Sequence, residues 1–132
     1  MYCDAALNRH FVFDMQNASL ERIEPRAATK DKLNTVIGRL SRHGTIPILA
    51  TEDGRHAIAF YAPHREDFWG FMTWIVPSDD PTNACGKLTA FFRHPVAVGK
   101  TYSYRTFVIV GDLATVQASA ARLWSVSKDP AP

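Results

Sequence analysis

Strong charge of either sign is missing from this chain. Its 132 residues carry 15 Lys and Arg against 13 Asp and Glu, a net charge of +2, and the basic residues form no stripe. That excludes a nucleic-acid face built on charge, which needs a clustered cationic footprint. Cysteine is scarce too. Cys3 and Cys85 stand alone, far from CxxC spacing, so neither a zinc site nor a disulfide framework is indicated. No apolar run reaches the roughly 18 residues of a membrane span. The opening "MYCDAALNRH" lacks the basic-then-apolar layout of a signal peptide. The expectation is a cytoplasmic protein with two reduced thiols and neither a membrane nor a nucleic-acid partner. GxSxG, GxxxxGK(S/T) and GxGxxG are all absent, so no serine-hydrolase, P-loop or dinucleotide chemistry is indicated and no cofactor is expected.

What is present is enough for one core. A chain of this length buries about two-thirds of its unfolded surface, and no internal linker is visible. A single β-rich domain over 1–124 is expected, with 125–132 as a frayed tail.

"HFVFDM" at 10–15 alternates, with Phe11, Phe13 and Met15 on one face and Val12 and Asp14 on the other, the pattern of a strand with one buried face. "QNASLERIEPRAATK" reads as a loop or an edge. Leu33, Val36, Ile37 and Leu40 recur at helical spacing, and Gly44 stands where a helix C′ residue would. "IPILAT" and "HAIAFYA" flank "EDGR", whose Asp53-Gly54 supplies the positive φ of a tight turn. In the second arm Ile58 and Phe60 share one face; Ala57, Ala59 and Tyr61 share the other.

Phe68 to Val76 reads as a strand that is apolar on both faces: Phe68, Gly70, Met72, Trp74 and Val76 against Trp69, Phe71, Thr73 and Ile75. Such a strand is covered on both sides or gives one face to a partner or ligand. "KLTAFFR" follows as a strand. "KTYSYRTFVIV" reads as the longest one, about ten residues, before "GDLATVQASAARLW" forms a helix with Asp112 as N-cap. The fold class is therefore mainly β: an antiparallel β-sandwich or curved sheet of about six strands, with a short internal helix and a C-terminal helix.

From "RHGTIPILATEDGRHAIAFYAP" to "VAVGKTYSYRTFVIVGDLATV", about residues 44–123, this order of features resembles the later part of the galactose-mutarotase-like β-sandwiches of sugar epimerases and polysaccharide-degrading enzymes. The resemblance implies a carbohydrate ligand. It also implies a sheet face or edge left bare by a half-sandwich, and hence a homodimer with the aromatic strand at or beneath the interface. The His acid and Glu base of mutarotase chemistry find no matching positions here, so no catalytic residue carries over.

Candidate site residues follow from side-chain chemistry. Tyr61, Trp69, Phe71 and Trp74 offer a stacking platform for sugar C–H faces, with Arg65 as a hydrogen-bond donor; core or dimer interface is the competing role. His64, Glu66 and Asp67 gather a His and carboxylates beside a hydrophobic wall, an acid–base set if the chain is an enzyme and a solvated loop if it is not. Arg105, on a strand of apolar residues, either pairs with a carboxylate or binds an acidic ligand. Arg93 and His94 add polar groups on a neighbouring strand. Asp79, Asp80 and Asn83 are hard oxygen donors, but they lack EF-hand spacing, so no metal site is assigned. His10, His43 and His56 read as surface or turn residues. The leading expectation is a non-catalytic module that binds a carbohydrate or similar small polar ligand and self-associates through the aromatic strand. A small sugar-acting enzyme and a purely structural domain are the alternatives.

Overall fold

The computed structural model of the chain describes residues 6–23, 44–63, 68–76, 85–92 and 97–127. Seven strands and one helix appear there: β1 Arg9–Asp14, β2 Ser19–Ile23, β3 Thr45–Ala50, β4 Ala57–Tyr61, β5 Phe68–Val76, β6 Cys85–Phe92, β7 Phe107–Gly111 and α1 Leu113–Ser127. Five strands form one antiparallel sheet in the order β2-β1-β3-β4-β7, and β5 pairs with β6 in a separate two-stranded ladder. The mainly-β, antiparallel reading with a C-terminal helix holds. The internal helix expected around Leu33–Leu40 lies outside the described residues. No described helix is long and apolar enough to cross a membrane.

β3 is the centre. All six of its residues are buried, and each large aliphatic side chain removed from water there stabilises by about 1.5–3 kcal/mol. On one face Ile46, Ile48 and Ala50 join Phe13, Ala57, Ala59, Tyr61 and Ile109 beneath Val116, Ala120 and Trp124 of α1. Those three helix residues fall at i, i+4 and i+8, one apolar stripe. On the other face Leu49 packs with Leu88 of β6, and Ile58 and Phe60 lie against them. The sheet is thus covered by a helix on one side and by the β5–β6 ladder on the other.

Two expectations about β1 change. Val12 and Phe13 are both buried although they face opposite ways, because β1 sits inside the sheet between β2 and β3 and is covered from both sides. His10 is 1% exposed. It stands opposite Leu49 in the β1–β3 register and is a core residue rather than a surface one. His56, by contrast, is exposed.

The turn chemistry is as the sequence predicts. Gly54 has φ +69°. Asp53 Oδ1 accepts from Thr51 Oγ1 at 2.7 Å and from the Arg55 amide at 3.0 Å. Those donors, Thr51 first, hold the Asp53 carboxyl below the usual carboxylate range. Gly54 also offers its carbonyl to the Leu113 amide at 2.9 Å, which ties the hairpin tip to the start of α1.

Asp112 caps that helix, its Oδ1 accepting from the Thr115 amide at 2.7 Å. The Thr115 amide and then its hydroxyl lower the Asp112 pKa. A carboxyl depressed in the folded state contributes stability above its unfolded pKa and loses it as pH falls through the folded value. Wild-type Tm should therefore drop below about pH 4 more steeply than that of Asp112→Asn, which caps without titrating. Identical acid limbs in calorimetry would rule this out.

Two lengths are corrected. The last strand runs only from Phe107 to Gly111, not over ten residues, because its neighbour β4 ends at Tyr61, the partner of Phe107. A strand without a ladder partner does not persist. At the other end α1 continues to Ser127, past the expected start of the tail at residue 125.

Candidate functional site

The aromatic stretch forms β5 over the expected residues, Phe68–Val76. Among the described residues it pairs with β6 alone. The register contains an irregularity that the sequence does not announce. Phe68 stands opposite Phe92, but Gly70 stands opposite Phe91, so Trp69 is the extra residue of a β-bulge. A bulge puts two residues against one and resets the alternation.

Strict alternation therefore holds from Gly70 to Val76, and Phe68 changes rows. By pairing, Phe68, Phe71, Thr73 and Ile75 stand opposite Phe92, Ala90, Leu88 and Gly86. Gly70, Met72, Trp74 and Val76 stand opposite Phe91, Thr89, Lys87 and Cys85. Leu88 is wholly buried against Leu49, which marks its row as the one turned to β3 and β4. The row containing Thr89 is the far one.

Thr89 is itself partly buried. Its Oγ1 is shut off from solvent and meets no hydrogen-bond partner. A buried hydroxyl left unsatisfied costs about 1–3 kcal/mol. Sequence reading gives Thr89 no role, since one Thr in a strand carries no signal of its own.

Of the residues chosen from sequence, Tyr61 is placed most clearly, and the platform role does not fit it. The ring is 2% exposed and lies on the α1 side of the sheet. It stacks on Phe107 with centroids 6.0 Å apart. Its hydroxyl hydrogen-bonds Ser127 Oγ at 2.5 Å, and burial raises its pKa against the opposing effect of that bond. Tyr61 is a core ring that ties down the last turn of α1.

Arg105 is exposed on non-strand backbone, before the start of β7 at Phe107, and makes no ion pair with a described residue. For Trp69, Phe71 and Trp74 the pairing alone is described. His64, Arg65, Glu66, Asp67, Asp79, Asp80, Asn83, Arg93, His94 and His43 lie outside the described residues, as does Cys3.

A concavity opens where the β3–β4 turn meets α1, lined by Asp53, Gly54, Arg55, Asp112, Leu113 and Gln117. Its two carboxylates are already engaged. Asp53 accepts the turn hydrogen bonds and holds Arg55 Nε at 3.5 Å, and Asp112 caps the helix. Arg9 of β1 forms an ion pair with Glu52 of that turn. No cluster of three His, Cys, Asp or Glu suited to a metal ion occurs among the described residues.

The architecture is that of a mainly-β antiparallel domain with a helix on one face of its larger sheet and a two-stranded ladder on the other. Comparison with known proteins finds no matching family model, no matching characterised sequence and no matching solved structure.

Proposed function

We propose that the chain is a non-catalytic binding module for a carbohydrate or a similar small polar ligand, taken up on the far row of the β5–β6 ladder. One observation carries the reading: the unpartnered Oγ1 of Thr89 lies in the same row as Trp74 and Lys87, opposite Met72. A hydroxyl ligand that displaces the groups shielding that oxygen supplies what it lacks, a partner that both donates and accepts. Trp is the ring best suited to the apolar face of such a ligand, and Lys87 adds a cation for an acidic variant. The bulge at Trp69 is further support, since bulges commonly re-aim side chains beside binding sites. The order of features shared with galactose-mutarotase-like sandwiches points to the same ligand class.

Trp fluorescence followed through a panel of neutral and acidic sugars tests this. At least one sugar should give a saturable change that Trp74→Ala removes and Trp124→Phe keeps. Thr89→Val should weaken binding by about tenfold, the equivalent of one hydrogen bond. The same substitution should raise Tm in the absence of ligand, because it deletes an unsatisfied hydroxyl while keeping the side-chain shape. A silent panel, or full affinity in Thr89→Val, would sink the reading.

A further inference from the structure

The two edges of the larger sheet are built differently. β2, at one edge, reads Ser-Leu-Glu-Arg-Ile, with Glu21 and Arg22 exposed. Charges on an edge strand discourage pairing with another chain. β7, at the other edge, reads Phe-Val-Ile-Val-Gly and has neither charge nor proline.

Its pairing explains which of its residues are wet. Val108 stands opposite Phe60 and Val110 opposite Ile58, so both lie on the face that the β5–β6 ladder covers over β3 and β4. The cover stops short of β7. Val108 is 51% exposed and Val110 69%, while their β4 neighbours Ile58 and Phe60 are partly buried and packed beside Leu88. Among the described residues, an edge without charge or proline and a bare apolar strip thus coincide on one strand.

The ends of β7 say what fits there. Arg105 precedes the strand and Asp112 follows it, both exposed. A second β7 laid antiparallel beside the first brings each Arg105 toward the opposite Asp112; a parallel partner sets like charges together. The strand is therefore charge-complementary to an inverted copy of itself, the condition for a two-fold interface.

We infer that β7 is a self-association edge, where two copies of this chain join their sheets through antiparallel β7–β7 pairing. In the register centred on Ile109, Val108 meets Val110 of the partner subunit, and the four valines close one apolar strip across the axis. Phe107 meets Gly111 of the partner subunit, and Thr106 meets Asp112 of the partner subunit, one residue from Arg105. Backbone pairing gives the contact its direction, the valines supply apolar burial, and the end charges reject the parallel alternative. The inference is independent of the sugar-binding reading, and it places the interface on β7 rather than on the aromatic strand.

Sedimentation equilibrium of the full chain at micromolar concentration decides it. The expected species is about twice the 14.8 kDa of one chain. Val108→Lys combined with Val110→Lys should sediment as a monomer with an unchanged far-ultraviolet circular dichroism spectrum, since both side chains are exposed. Arg105→Glu should weaken dimerisation by about tenfold by placing like charges at each end. If the lysine pair unfolds the chain, Arg105→Glu is decisive by itself: the tenfold weakening supports the β7 edge, and wild-type association overturns it. A monomeric wild type overturns it as well, as does a folded lysine variant that dimerises like wild type.

Discussion

Trp124→Ala is expected to cost about 3–5 kcal/mol of folding stability, the range for removing a large buried ring. The ring is 6% exposed and lies at the C-terminal end of the α1 stripe. Its ring carbon Cζ2 comes within 3.3 Å of where a Cβ on Gly44 would stand. Gly44 has φ +87°, a conformation glycine adopts readily and side-chain-bearing residues disfavour. The Gly44 carbonyl accepts from the Met15 amide at 2.8 Å. One side chain thus presses α1 onto the entry to β3 and the exit from β1 together. Urea unfolding followed by far-ultraviolet circular dichroism checks the magnitude, and Trp124→Phe should lose distinctly less. A loss under about 1 kcal/mol would mean that the helix is held elsewhere. Gly44→Ala, which meets the same ring, should combine non-additively with the Trp124 change because the two share one contact.

Leu88→Ala should cost about 2–5 kcal/mol, within the range for a leucine in a packed core, and its effect should be local as well as global. Leu88 is wholly buried and is the β6 member of the cluster with Leu49. Without it the ladder loses its described apolar anchor on β3 and β4. Amide exchange should then quicken in β5 and β6 and in the part of β4 around Ile58 and Phe60, while β1, β2 and the α1 face keep their protection. Uniform loss of protection across all seven strands would show that the ladder and the sheet unfold as one unit. If the ligand binds on the far row, the same substitution should also weaken sugar binding, although Leu88 would touch no sugar.

Most of the fold is legible in the sequence where the signals are local. Asp53-Gly54 fixes a turn by its own φ preference. Asp112 announces a helix start by its side-chain oxygen, and Pro77 follows directly on the last residue of β5. The alternation of Ala57, Ala59 and Tyr61 against Ile58 and Phe60 is also read correctly. Which of those two faces lies under a helix is not, because that depends on where α1 returns. Tyr61 accordingly falls in the core, away from any platform.

The misread length of β7 has the same origin. Residues 101–106 alternate as well as any strand, but β4, the ladder partner of β7, runs out at Tyr61. The bulge at Trp69 is hidden for a different reason: a residue inserted into a run of rings leaves the run looking regular. Thr89 owes its interest entirely to its surroundings. His10 does as well, since a histidine between a charged and an apolar neighbour in sequence gives no hint of the Leu49 opposite it.

Pro47 lies in the middle of β3, where it has no amide hydrogen to give. The β3–β4 register begins at Ile48, the next residue, while β1 pairs with β3 along its whole length, from Arg9–Ala50 to Asp14–Thr45. Among the described strands the proline therefore divides β3 into a stretch paired with β1 and a stretch paired with both β1 and β4. β1–β2 and β3–β4 are each hairpins of near neighbours in the chain, but the β1–β3 seam joins segments far apart in sequence. Closing that seam, like the still longer-range β4–β7 pairing, is a slow search in assembling this sheet, and among the described strands it is β1 that recruits the first half of β3.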